Sequence, residues 1–210
     1  MPPIFSVDDS QTGSLTSRRD LLLGLTVTPA AALVTSPWGD ALKLLHDRYD
    51  DELIALVRTK ERRRLSRFRY HNAETFYQSL DRRLYDRGDE MLYQSGIVAQ
   101  LALSSHLLDI GFSDRWNARH IGLDIAKGLA YANASGFAHL CPDMARLAVI
   151  LSPYWKWRHV HRFDQSRPDD GQFALGEVCE IMRALLDRVH DVTGHPRPNG
   201  WRNRPTKSRS

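Results

Sequence analysis

Residues 89–110 read Asp-Glu-Met-Leu-Tyr-Gln-Ser-Gly-Ile-Val-Ala-Gln-Leu-Ala-Leu-Ser-Ser-His-Leu-Leu-Asp-Ile. Met91, Leu92, Ile97, Val98, Leu101, Leu103, Leu107 and Leu108 fall on every side of a helix. A helix that is apolar all round belongs in the middle of a core, covered by its neighbours. Gln94, Gln100, Ser104 and Ser105 interrupt the stretch and argue against a membrane span, which needs about 20 apolar residues. The fold is therefore predicted around this segment.

Both flanks read as helices that cover it. Upstream, Leu42, Leu45, Tyr49, Leu53, Leu56 and Val57 recur at steps of three and four, one face of a long amphipathic helix. Ser36 or Asp40 can cap its start. Its first half carries Asp47, Asp50, Asp51 and Glu52, and its second half Arg58, Lys60, Arg62, Arg63, Arg64 and Arg67. That order complements the helix dipole. A second helix is expected over 73–85, ending near Gly88.

Downstream, Gly111-Phe112-Ser113-Asp114 is a turn followed by a cap. The next helix is expected to reach residue 135. Its Gly122, Ala126, Ala130 and Ala134 form a ridge of small residues where a neighbour can come close. Pro142 suits the first turn of another helix, over 142–151. Leu175, Val178, Cys179, Met182, Leu185, Leu186 and Val189 trace one arc of a last helix, over 171–193. With no convincing strand and short connections, the chain is predicted to be all-α, a single bundle of about six helices. The helical domain is placed at 36–193, with a flexible segment at 1–35 and a basic disordered tail at 194–210.

The chain has 210 residues, 29 basic and 25 acidic, and is 42% hydrophobic. This is an ordinary globular composition, long enough to bury a core without disulfides or metals. The excess positive charge sits in Arg197, Arg202, Arg204, Lys207 and Arg209, with no acid after Asp191. Setting aside that tail and residues 1–32 leaves a body with equal numbers of cations and anions. A generally basic nucleic-acid-binding body is thereby disfavoured. The two cysteines, Cys141 and Cys179, make neither a disulfide framework nor a zinc site by themselves.

The densest candidate for chemistry is Tyr154-Trp155-Lys156-Trp157-Arg158-His159-Val160-His161-Arg162-Phe163. Read as extended chain, it puts Trp155, Trp157, His159, His161 and Phe163 on one face and Lys156, Arg158 and Arg162 on the other. Flat rings beside cations suit an anionic or aromatic ligand. The expected binding residues are Trp155, Trp157, Arg158, His159, His161 and Arg162. The competing structural reading has the tryptophans capping the core while the cations stay in water. His159 and His161 could share a metal only with a third ligand from Asp164, His139, His190 or His195, and no spacing selects one. No metal and no cofactor is expected. His190 and His195 read as helix-end residues, and His106 as a core histidine.

Seven basic residues lie between Arg58 and Arg69 against one acid, Glu61. On a single helix they spread around most of the circumference and read as a solvated end. Residues 124–140 have the outline of a helix-turn-helix but lack the turn glycine and a basic recognition helix. There is no phosphate loop, nucleophile elbow or paired carboxylate motif.

Ser17-Arg18-Arg19-Asp20-Leu21-Leu22-Leu23, followed by an apolar run to Val34 with Ala30-Ala31-Ala32, resembles the twin-arginine export signal of bacteria. The resemblance covers about the first sixth of the chain. It implies an exported or periplasmic bacterial protein. Without it, the same segment is the N-terminus of a cytoplasmic one. The function expected is binding or interaction, with a protein or an anionic ligand as partner. The alternatives are an enzyme or metal-dependent protein using residues 154–164, and a nucleic-acid-associated factor using the Arg58–Arg69 run and the tail.

Overall fold

The computed structural model describes residues 38–82, 87–158 and 168–198. The twin-arginine-like stretch, His159, His161, Arg162 and most of the basic tail lie outside them. Seven α-helices and no strand are found among the described residues. They are α1 (Gly39–Tyr49), α2 (Lys60–Asp81), α3 (Gly88–Ile110), α4 (Asp114–Trp116), α5 (Ile125–Ala134), α6 (Pro142–Ile150) and α7 (Leu175–Thr193). A π-turn (Asn117–Ile121) follows α4, and a 3₁₀ turn (Tyr154–Trp157) follows α6. No helix described is long and apolar enough to cross a membrane.

The all-round apolar segment is the hub, as predicted. α3 buries Leu92, Val98, Ala99, Ala102, Leu107 and Leu108 almost completely. α2 lies along it, α7 packs on both, and α5 and the 3₁₀ turn close the remaining sides. The Met182, Leu185, Leu186 and Val189 face of α7 is fully buried. Each such aliphatic side chain contributes about 1.5–3 kcal/mol relative to exposure.

Four expected helices differ in extent, among them the one expected over 73–85, which begins at Lys60 and ends at Asp81. The helix predicted to run from residue 38 through 67 is two helices. It stops at Asp50, a left-handed cap with φ +51°, a conformation that aspartate tolerates better than most residues. Residues 51–59 then run without helical hydrogen bonding. Val57 N donates to Gly111 O at 3.1 Å, and Arg62 Nη1 donates to both Val57 O (2.7 Å) and Gly111 O (2.6 Å). These bonds take the place of the helical ladder and dock the segment on the end of α3. Thr59 starts α2, its Oγ1 accepting from Arg62 N. The Arg58–Arg69 run is therefore the beginning of the helix that ends at Asp81.

The helix predicted over 114–135 is split by the π-turn and by Gly122. The small-residue ridge is displaced with it. Gly128 and Ala132 are the buried pair on α5, whereas Ala126, Ala130 and Ala134 are half-buried. α7 begins at Leu175, four residues later than expected, with Glu177 Oε2 accepting from Ala174 N. At its far end packing continues beyond residue 193. Gly194 closes the helix with φ +67°. His195 is fully buried, its ring bonded to Ser66 Oγ at 2.6 Å, and its carbonyl accepts from His190 Nδ1 at 2.7 Å.

Candidate functional site

Pro153 precedes the 3₁₀ turn that decides the fate of the aromatic segment. A 3₁₀ turn rotates successive side chains by about a third of a circle, so alternate residues do not share a face. Trp155 is 61% exposed, whereas Trp157 is fully buried and donates from Nε1 to Ile150 O at 3.1 Å. Arg158 ends the turn in water. Of the six expected binding residues, the structure describes Trp155, Trp157 and Arg158 and does not bring the two tryptophans together. The residue of this segment that bonds to a side chain lining a cavity is Tyr154. Its hydroxyl donates to Gln100 Oε1 at 2.7 Å, and Gln100 Nε2 donates to Gly122 O at 2.8 Å. Gly96 makes room for it: a Cβ at that position would overlap the Tyr154 side chain.

That cavity, of about 70 Å³, lies between α2, α3, the π-turn and α5. Four specific bonds, one of them to a distant segment, fix the π-turn. Ser113 Oγ accepts from Trp116 N and starts α4. Trp116 is then pulled inward, its Nε1 donating to Glu52 O at 2.9 Å. The turn closes by Gly122 N donating to Asn117 O, five residues back, at 2.9 Å. Gly122 has φ +55°, where a side chain would be strained. Asp124 restarts the α-helix, its Oδ1 accepting from Lys127 N at 2.9 Å. Single π-turns inside helices often accompany functional sites because they re-aim side chains.

Here two polar side chains are re-aimed. Asn117 lines the cavity. It is 7% exposed, and both Nδ2 and Oδ1 are buried without a hydrogen-bond partner. Around it are Leu103, Leu107, Ala118, Ile121 and Ile125, with Ser104 and the Arg69–Asp114 ion pair (3.0 Å) also lining the space. His120 faces the other way. Its Nδ1 lies 3.1 Å from Asp51 Oδ1, and its ring stacks on Trp116 at 4.9 Å.

Asp51 is the centre of a second cluster and has both of its carboxylate oxygens bonded. Lys127 Nζ donates to Oδ1 at 2.8 Å and Tyr131 Oη to Oδ2 at 2.6 Å. Burial alone would raise the Asp51 pKa. The Lys127 and Tyr131 hydrogen bonds outweigh it and hold the carboxyl below its ordinary range. Tyr131 is pushed up, first by burial and then by the carboxylate it bonds. His46, wedged edge-on between Trp116 and Tyr131, is lowered by burial despite the pull of Asp51. This cluster holds residues 51–59 to the π-turn and α5.

The chain matches no family model, no curated protein and no solved structure. The site must therefore be read from its own chemistry. Among the described residues no group of three or more His, Cys, Asp or Glu could hold a metal. His159 and His161 lie outside those residues. Cys141 and Cys179 do not pair with each other. His106 is buried against Phe137 with both ring nitrogens outside hydrogen-bond geometry, and burial lowers it to about 4.

Sequence reasoning passed over Asn117, Gln100 and Asp51. Asn117 carried no signal because nothing in the local pattern announces a π-turn. Asp51 looked like a solvated helix acid because the break at Asp50 was not foreseen. Gly122 following Asn117 by five residues was the one visible clue.

Proposed function

We propose that this protein is a binding protein whose ligand enters the Asn117 cavity. The observation that carries this reading is the amide of Asn117, buried with neither donor nor acceptor used. Buried polar groups are paired in the great majority of native structures. Leaving one unmade costs about 1–3 kcal/mol. An amide presents one donor and one acceptor side by side. Its complement is a group with an adjacent acceptor and donor, such as a carboxamide or a lactam. The leucine and isoleucine walls call for a mostly apolar body on that group, and the cavity volume limits it to a few heavy atoms at the buried end.

The test is nuclear magnetic resonance on full-length protein labelled with ¹⁵N-asparagine, titrated with 2-pyrrolidinone as the lactam probe. The Asn117 side-chain amide should shift in a saturable way, and Asn117→Leu should abolish saturable binding while the protein stays folded. Equal binding by the variant, or no saturable shift in the wild type, overturns the reading.

We further propose, from Arg18, Arg19 and the apolar run that follows them, that the chain carries an export address. Changing both to lysine should hold a reporter fusion in the cytoplasm. Equal export of the two forms, or export of neither, removes the claim.

A further inference from the structure

Two carboxylates and one guanidinium line the Asn117 cavity: Asp114, Asp124 and Arg69. Arg69 and Asp114 cancel, Nη2 donating to Oδ1 at 3.0 Å. Asp124 keeps its charge. Its Oδ1 caps α5 by accepting from Lys127 N at 2.9 Å. Its Oδ2 makes no bond, and neither oxygen meets a cation, among the described residues. Lys127, the cation nearest in sequence, sends its Nζ to Asp51 instead, at 2.8 Å.

Capping does not account for that charge, since asparagine and serine cap a helix as well as aspartate does. The N-terminus of α5 carries about half a positive unit and offsets part of it. The rest lines the same space as the unpartnered Asn117 amide. The π-turn holds the two groups near each other. Gly122 N donates to Asn117 O at 2.9 Å, and Asp124 N donates to Ile121 O at 3.0 Å. Asp124 therefore lies two residues, about 7 Å of chain at most, from the backbone that bonds Asn117. A small molecule spans that distance. The other amide of the lining, Gln100, is used at both ends, by Tyr154 Oη and by Gly122 O.

We propose that the ligand of this cavity is a small cation, a primary amide or lactam bearing an ammonium group, with its amide on Asn117 and its ammonium at Asp124. This rests on the Asn117 reading above and adds the sign of the ligand's charge. Primary amides and lactams present donor and acceptor on one side. A trans peptide group presents them on opposite sides, so a peptide backbone does not pair with the Asn117 amide in this way. An anionic ligand fits less well, because Arg69 is the one cation in the lining and is already bonded to Asp114.

The test titrates full-length ¹⁵N-asparagine-labelled protein at about pH 6.5, below the α-amino range, with three lactams built on one ring. These are 3-amino-2-pyrrolidinone as cation, 2-pyrrolidinone as neutral ring and 5-oxoproline as anion. Read at the Asn117 side-chain amide, the cation should bind about 5- to 10-fold more tightly than the neutral ring, between the effects of an exposed ion pair and of a buried charged hydrogen bond. The anion should bind more weakly than either, and added salt should narrow the differences. Asp124→Asn keeps a cap on α5 and should bring the cation to within about 2-fold of the neutral ring. Asp143→Asn, at an exposed carboxylate in the first turn of α6, should keep the wild-type preference. No saturable shift with any of the three removes the Asn117 reading and this inference with it. Saturable binding of 2-pyrrolidinone without a preference for the cation, tighter binding of the anion, or a preference that survives Asp124→Asn overturns the charge assignment alone. If Asp124→Asn does not fold, the wild-type series over salt still decides.

Discussion

Two buried polar groups in this protein have opposite fates. Glu74 on α2 is fully buried, and every strong partner it needs is present. Arg183 Nη1 and Nη2 donate to its two oxygens at 2.9 and 2.8 Å, and Tyr70 Oη donates to Oε1 at 2.7 Å. Arg183 is shared with Asp187, and Arg197 reaches Asp187 as well. Asn117 is almost as buried and has no partner for either amide atom. The first arrangement is closed and ties α2 to α7. The second is a polar group held in an apolar recess by a distorted turn. A buried network is informative about ligand binding when it is left incomplete, because a complete one is explained by the fold itself.

The comparison breaks first at Glu74. Arg183→Ala would leave a carboxylate buried without its cation, a change that costs about 3–5 kcal/mol. Chemical denaturation should show that loss. A loss below about 1 kcal/mol would mean that the pair behaves as a surface one, and the contrast with Asn117 would collapse. Trp157→Ala should cost a similar amount, about 3–5 kcal/mol for a buried tryptophan, while Trp155→Ala should fall within about 0.5 kcal/mol of the wild type. Equal effects at the two tryptophans would restore the extended reading of that segment.

Acid sharpens the same contrast. His106 and His195 are both buried and both lowered to about 4, chiefly by burial, with Arg63 and Arg67 adding to the effect at His195. Between about pH 6.5 and 4 the unfolded imidazoles take up protons that the folded ones refuse. Their contribution to stability is therefore complete above about pH 6.5 and declines as pH falls toward 4, at about 1 kcal/mol per unit for each ring. Below 4 the decline from these two groups ends. The depressed Asp51 acts in a lower window, its contribution being lost only as pH falls from the ordinary carboxylate range through its own pKa. Denaturation curves at pH 7, 5.5 and 4.5 would show the first window. His106→Leu should reduce the slope by the share of one ring, about 1 kcal/mol per pH unit, and an unchanged slope would assign the acid sensitivity elsewhere.

The sequence made the hub legible because an all-round apolar helix has one physical solution. α3 and the buried arc of α7 follow from periodicity alone. The breaks did not. Continuation of α1 past Asp50 is opposed by Lys127, Tyr131 and His120, residues roughly 70–80 positions away that capture Asp51. A local reading cannot see a tertiary partner compete with a helical hydrogen bond. The aromatic segment failed for a related reason: alternation was assumed for a stretch that forms a 3₁₀ turn, so Tyr154 rather than either tryptophan bonds to Gln100 of the cavity lining.

The smallest effect concerns Asn117 itself. Leucine is close to asparagine in size and asks for no hydrogen bond. If the amide serves only a ligand, Asn117→Leu should leave stability unchanged or raise it by about 1 kcal/mol, because the uncompensated burial of the amide is removed. The neighbouring π-turn is held by Gly122 N to Asn117 O and by Trp116 to Glu52 O, neither of which uses the Asn117 side chain. The turn should therefore survive the change. A variant destabilised by more than about 1 kcal/mol would show that the amide is satisfied within the fold. Asn117 would then belong with Glu74, as a structural group, and the cavity would lose the residue that makes it a site.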